Sequence, residues 1–154
     1  MIDNSKLDLE RINRLLEGIV PTNQTKEELD KLRVEYEEFI LNKILECVDN
    51  INFIINLKID NEIENKVLKS ATRINIMRID EEFSNLKNEN AFKILKNFDS
   101  EDLKSINKAR SLVENNYDDI EDELIENIVQ KILPKIKNVI ENINLSSFKY
   151  SNFI

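Results

Sequence analysis

The side chains best suited to chemistry in this sequence lie in the run KVLKSATRINIMR, residues 66–78. On a helix, Lys66, Lys69 and Arg73 fall at positions i, i+3 and i+7 and therefore share one face, which we call the cationic stripe. Ammonium and guanidinium groups bind phosphate through charge-assisted hydrogen bonds, so the stripe suits a nucleoside triphosphate. With the flanking hydrogen-bond donors, the predicted nucleotide-binding residues are Lys66, Lys69, Thr72, Arg73, Asn75 and Arg78.

Ion pairing on the helix surface is the alternative interpretation of the same cations. Lys66 lies four residues after Glu62, and Arg78 lies three and four residues before two further acids. Such pairs are close on a helix and contribute little to stability. Lys69 and Arg73 have no acidic neighbour at helical spacing, so the pattern leaves both a binding site and a solvated helix face open.

Catalytic and metal-binding groups are sparse. The chain has no histidine, the commonest acid–base group, and its single cysteine excludes an internal disulfide or a cysteine-based zinc or iron–sulfur site. Cys47 shares helical spacing with isoleucines and is predicted to lie in the core. Acidic runs such as residues 80–82 are interpreted as solvated helix faces. We therefore predict no catalytic residue, no metal and no cofactor; a metal-dependent hydrolase using the E-x-x-E pairs at 35–38 and 123–126 is a distant alternative.

Helices must position the cationic stripe. One glycine and two prolines are too few for a hairpin fold or a Gly-rich phosphate loop, and apolar residues recur at helical spacing along most of the chain. With 41% hydrophobic and 34% charged residues, the composition is that of a folded, water-facing domain. We predict an all-α fold, a compact irregular bundle of six to eight helices in one domain, residues 1–154.

Local signals predict the helix boundaries in the first half of the chain. A helix over 6–16 belongs to an N-terminal arm, residues 1–24, which ends after the glycine and proline that follow it. A capping-box signal at Thr25 begins a long helix. The apolar segment 51–59 either continues that helix or forms a buried connection. Asp60 is predicted to cap the helix that carries the cationic stripe, whose centre is expected to be buried.

Further signals mark the second half. Ser100 is predicted as the N-cap of a helix with acidic residues in its first turn. Pro134 is expected to break or kink a later helix, because proline lacks a backbone N–H and clashes with the preceding turn. Residues 146–154 form a polar–aromatic tail with Phe148, Tyr150 and Phe153, either a frayed terminus or a motif that docks onto a partner.

Charge is distributed unevenly. The net charge is −8, which argues against wholesale wrapping of nucleic acid. Residues 65–110 nevertheless contain 10 Lys and Arg against 7 Asp and Glu, so the middle of the chain carries a local charge of +3. The acidic N-terminus lacks both the basic segment and the apolar run of a signal peptide, so we expect a cytoplasmic protein.

The run KSATRINIMR, followed by Ile79, Phe83 and Leu86, resembles the PriX family of noncatalytic subunits of crenarchaeal, eukaryotic-like DNA primases. The small, helical, Ile-, Asn- and Lys-rich chain is also similar to a reduced C-terminal domain of the primase large subunit. In that family an Arg-containing helix binds the triphosphate of the nucleotide that starts the primer. The large-subunit domain holds an iron–sulfur cluster through four cysteines; one cysteine here agrees with a cluster-free subunit.

The resemblance implies a noncatalytic accessory subunit that binds the initiating nucleoside triphosphate and supports RNA primer synthesis in DNA replication. Its partners would be the primase catalytic and large subunits, with template DNA or primer contacted weakly or through the complex, and no membrane. Holding the second nucleotide in place makes the first bond formation effectively unimolecular. The alternative is a ligand-free helical adaptor or assembly protein that binds a protein partner through its acidic surface or aromatic tail.

Overall fold

The computed structural model describes residues 23–57, 59–114 and 118–151 of the chain. These residues are about 90% helical and include no strand, so the prediction of an all-α protein is confirmed. The predicted helix over 6–16 lies outside the described residues. The described helices contain no segment with the length and apolar character that a membrane crossing requires.

Five helices follow one another in the described part of the chain. They are α1 (Asn23–Asn56), α2 (Glu62–Asn88), α3 (Phe92–Leu95), α4 (Ser100–Glu114) and the composite helix α5. Helix α5 is α-helical over Asp118–Asn127, π-helical over Ile128–Ile132 and α-helical again over Leu133–Ser151. The described residues therefore hold fewer helices than the six to eight that we predicted.

Pro134 does not end its helix, and this accounts for part of the lower helix count. The residue before it, Leu133, keeps helical dihedral angles (φ −60°, ψ −40°), and its backbone N–H donates to the carbonyl of Ile128, five residues earlier. A proline normally breaks a helix because it lacks an N–H and its ring collides with the turn before it. Here the wider π-helical turn directly precedes the proline, and we attribute the continuity of α5 to it.

Two predicted caps are wrong by one residue. Asn61, and not Asp60, caps α2: its side-chain oxygen accepts hydrogen bonds from the backbone N–H groups of the second and third helical residues, at 2.9 and 3.4 Å. Asp99, and not Ser100, accepts the corresponding bond at the start of α4, at 2.8 Å. In both cases two adjacent residues are good caps, and the sequence does not decide between them.

The chain divides into two compact units, Met1–Glu37 and Glu38–Ile154. The described part of the first unit is the beginning of α1. The second unit contains the remainder of α1 and all of α2 to α5. The predicted single domain stays a prediction.

The core of the second unit is made largely of isoleucine. Helix α2 packs most extensively against α4. Phe83 of α2 and Phe98, just before α4, meet edge to face with ring centroids 4.9 Å apart. Burying one such large apolar side chain stabilises the fold by roughly 1.5–3 kcal/mol. The largest fully buried side chains are Ile40, Ile44, Ile51, Ile76, Ile79, Leu86, Ile106, Ile128, Leu133, Ile136 and Ile140.

Candidate functional site

Helix α2, which carries the predicted nucleotide-binding residues, has one buried face. At 3.6 residues per turn, its buried side chains lie along a single side of the helix. All of them belong to the stretch from residue 72 onwards; the first turns contain none. The buried residues are Thr72, Asn75, Ile76, Ile79, Asp80, Phe83 and Leu86.

Thr72 and Asn75 point into the protein. The Thr72 hydroxyl donates to the carbonyl of Leu68 at 3.0 Å, and the Asn75 amide nitrogen donates to the carbonyl of Ala71 at 2.8 Å. The Asn75 side-chain oxygen accepts a hydrogen bond from the amide of Asn50 on α1, at 3.3 Å. The structure thus uses both polar groups inside the fold and does not bring them together with the cationic stripe.

Lys69 and Arg73 converge on one carboxylate that sequence spacing does not reveal. The Lys69 Nζ lies 3.4 Å from one oxygen of Asp122, and the Arg73 Nη2 lies 3.1 Å from the other. Asp122 belongs to α5, far along the chain, so a search at helical spacing misses it. The Lys69 and Asp122 side chains are 62% and 51% exposed, which leaves this cluster open to solvent.

Lys66 and Arg78, at the two ends of the predicted site, are both exposed. Among the described side chains, Lys66 makes no ion pair with Glu62, the neighbour that helical spacing suggested. Arg78 lies near Cys47, which is buried as predicted. Burial raises the pKa of the Cys47 thiol above its ordinary value, and the positive charge of Arg78 opposes that effect.

Asp80 is a buried charge, although the acidic run that contains it was interpreted as a solvated face. It is 5% exposed. The Arg110 guanidinium of α4 donates to it at 3.2 Å, and the Asn107 amide of α4 donates to its two oxygens at 3.4 and 3.3 Å. Burial also raises the pKa of nearby Glu82. The prediction was wrong for Asp80, whose role is to join α2 to α4.

Helix α2 also has an apolar face that the described protein leaves exposed. Ile63, Val67 and Ile74 are 73%, 63% and 50% exposed, and we call them the apolar stripe. Their spacing of four and seven residues places them on one side of α2, opposite its buried face. The predicted burial of the centre of this helix holds on one side, which includes Ile76 and Ile79, while the opposite side is exposed and apolar.

A shallow groove accompanies the apolar stripe. Its volume is about 370 Å³, and the described residues that line it are Lys66, Val67, Ser70, Ala71 and Ile74. The small side chains at its centre allow another chain to approach the helix backbone closely. The groove therefore combines an apolar floor with one cation of the cationic stripe.

No metal centre accompanies these features in the part of the chain that the structure describes, where no three His, Cys, Asp or Glu side chains are grouped to hold an ion. Comparisons of the chain with known protein families, with curated proteins and with solved structures gave no match.

Proposed function

We propose that this chain is a noncatalytic helical adaptor that binds a protein partner through the outer face of α2. The observation that carries the proposal is the apolar stripe. Three large apolar side chains share one face of a helix whose opposite face already builds the core. A helix that is apolar on two opposite sides has more apolar surface than its own fold covers, and such surface marks interaction sites.

The spacing of the apolar stripe fits helix-in-groove recognition. Partners of this kind are held by anchors that recur at three-, four- or seven-residue steps, and Ile63, Val67 and Ile74 are separated by four and then seven residues. The small residues Ser70 and Ala71 lie between Val67 and Ile74 and form the floor of the groove, into which a ridge of partner side chains can pack. Complete burial of each anchor would contribute roughly 1.5–3 kcal/mol before the costs of association.

The proposed contact face differs from the two that the sequence suggested for an adaptor. Those were the acidic surface and the aromatic tail, residues 146–154, whose side chains lie outside the described ones.

We further propose a cytoplasmic location, because the one cysteine is unpaired and buried, as is usual in reducing compartments.

Site-directed photocrosslinking tests the adaptor proposal. A photoreactive phenylalanine analogue at position 67, in cells of the protein's own source, is expected to give a discrete crosslinked product of defined mass, because Val67 lies at the centre of the docking face. The same analogue at Phe92 is the matched control, since that side chain is 60% exposed but outside the apolar stripe. Adding Ile74→Glu should abolish the product at position 67. Equal yields at both positions, or none at either, would contradict the proposal.

A second candidate is the one that the sequence resemblance implies: a primase accessory subunit that binds the initiating nucleoside triphosphate. One observation favours it. Lys69 and Arg73, from successive turns of α2, both reach the carboxylate of Asp122. A phosphate group in the position of that carboxylate would accept the same charge-assisted hydrogen bonds. In this candidate Asp122 is a counterion that the nucleotide displaces.

Nucleotide titration tests this candidate. Arg73→Ala is expected to weaken the binding of fluorescent ATP by about one to two orders of magnitude, because a charged hydrogen bond contributes roughly 1.5–3 kcal/mol. Asp122→Asn should tighten binding, since the competing charge is gone, and added salt should weaken it. Lys104→Ala, which removes an exposed cation of α4, is the control and should match wild type. Absence of binding, or an Arg73→Ala variant that binds like wild type, would rule the nucleotide site out.

A further inference from the structure

We infer that the occupant of the apolar stripe is an acidic amphipathic helix of a protein partner, with a seam of apolar side chains flanked by Asp and Glu. This inference rests on the proposed adaptor function and adds the chemistry of the partner. It is carried by the charges on either side of the apolar stripe and by their contrast with the charge of the whole chain.

From Val67 onwards the apolar stripe is bordered by cations, whereas Ile63 at its start lies between two acids, at 62 and 64. Between residues 65 and 79 of α2, every charged side chain is positive: Lys66, Lys69, Arg73 and Arg78. Three of them, the cationic stripe, follow one edge of the apolar stripe, and Lys66 also lines the groove. Arg78 borders the other edge, by the helical spacing. Asp122 neutralises part of the first edge, so the surroundings of the groove remain positive on a protein of net charge −8.

A second copy of this chain is disfavoured by the same charges. If two α2 helices paired antiparallel, the edge with Lys66 and Arg73 would face itself. If they paired in parallel, Arg73 would face Arg78 of the other copy. Like charges across such a seam are destabilising, and two chains of net charge −8 also repel each other at long range. Carboxylates on a different partner would instead complement the cations along both edges of the groove.

The size of the face sets the length of the partner helix. From Ile63 to Ile74 the apolar stripe extends about 16 Å, at 1.5 Å per residue, which is about three helical turns. Three apolar side chains along three turns cover less surface than a standard stable interface, which buries roughly 800 Å² on each partner, so the contact belongs to the weak and reversible class. A partner helix of about three turns is sufficient to cover it.

Two synthetic peptides test the inference against the full-length chain. Each has about three heptads with Leu at the a and d positions; one has Glu at e and g, and the other has Lys there. Fluorescence anisotropy is expected to show that the Glu peptide binds at least about tenfold more tightly than the Lys peptide, because several charge pairs act together. Lys66→Glu should reduce that preference. Val67→Ser should abolish binding of the Glu peptide, whereas Phe92→Ser, at an exposed apolar position outside the groove, should not.

Each other outcome overturns the inference. A Lys peptide that binds as well as the Glu peptide, or Glu-peptide binding that survives Val67→Ser, would show that the groove does not select acidic helices. Sedimentation as a dimer that Val67→Ser dissociates would assign the face to a second copy. A crosslink at position 67 together with failure of the Glu peptide would leave the adaptor function standing and remove only the partner's chemistry. Failure of both experiments would remove both.

Discussion

Replacing Arg110 with methionine is expected to lower the free energy of unfolding by about 3 kcal/mol, the lower end of the range for breaking a buried ion pair. The Asp80 carboxylate that it contacts at 3.2 Å has only 7% of its side chain exposed. Methionine retains the apolar stem of arginine but removes its charge. Asp80 would then keep the Asn107 amide as a partner but lose its cation. The Arg110 side chain is 35% exposed, so the lower end of the range applies.

Urea unfolding, followed by helical circular dichroism, measures this loss. Lys104→Met is the matched control, because it introduces the same residue at the Lys104–Glu101 pair of α4, whose side chains are 74% and 77% exposed. An exposed pair contributes about 0–1 kcal/mol, so this variant should stay close to wild type. Adding Asp80→Asn to Arg110→Met removes the buried charge and should recover much of the lost stability. If Arg110→Met and Lys104→Met behave alike, Asp80 does not depend on its cation.

Asp80 shows where the sequence stops being informative about charges. Its neighbours Glu81 and Glu82 suggest a solvated acidic face, and its cation lies 30 residues away on α4. Asp122 presents the same difficulty, because the contacts that give it a role come from α2, 49 and 53 residues earlier. Spacing rules relate residues within one helix. Pairs between helices depend on how the helices pack, which a single sequence does not specify.

Local structure could be predicted from the sequence, because it depends on residues that are close along the chain. The all-α class follows from apolar periodicity and from the scarcity of glycine and proline, which are properties of each segment alone. The caps of α2 and α4 were found to within one residue, because side-chain caps are local hydrogen bonds. Among the described residues, one more helix was predicted than is present, because a local rule was overridden: Pro134 is a reliable breaker in isolation, but a π-helical turn accommodates it in α5.

The two faces of α2 are the clearest case of partial information. The sequence shows that this helix is apolar on most sides, which predicts a buried centre from which Arg73 and Arg78 project. Tertiary contacts cover one side, with Ile76 and Ile79, and leave Ile74 half exposed. Nothing in the residue types separates these isoleucines. The packing of α2 against neighbouring helices, most extensively α4, decides which of them belong to the core.

Alanine substitutions at Ile76 and Ile74 are expected to separate those two faces by their effects on stability. Ile76 has 0% of its surface exposed, so Ile76→Ala should cost about 2–5 kcal/mol through lost burial and the cavity it leaves. Ile74 is 50% exposed, so Ile74→Ala should change stability by no more than about 0.5 kcal/mol. Alanine is also the better helix former, which offsets part of the small burial loss at Ile74.

The comparison is well matched because both variants remove the same atoms from one helix, two residues apart, so that their effects on the unfolded chain nearly cancel. Urea unfolding of dilute protein, followed by circular dichroism, gives the two free energies. Ile74→Ala should in addition lower the crosslinking yield at position 67 while the fold stays intact, since Ile74 anchors the partner and not the core. Equal losses of stability would mean that the free protein already covers Ile74, and the apolar stripe would then be part of its core and not a docking face.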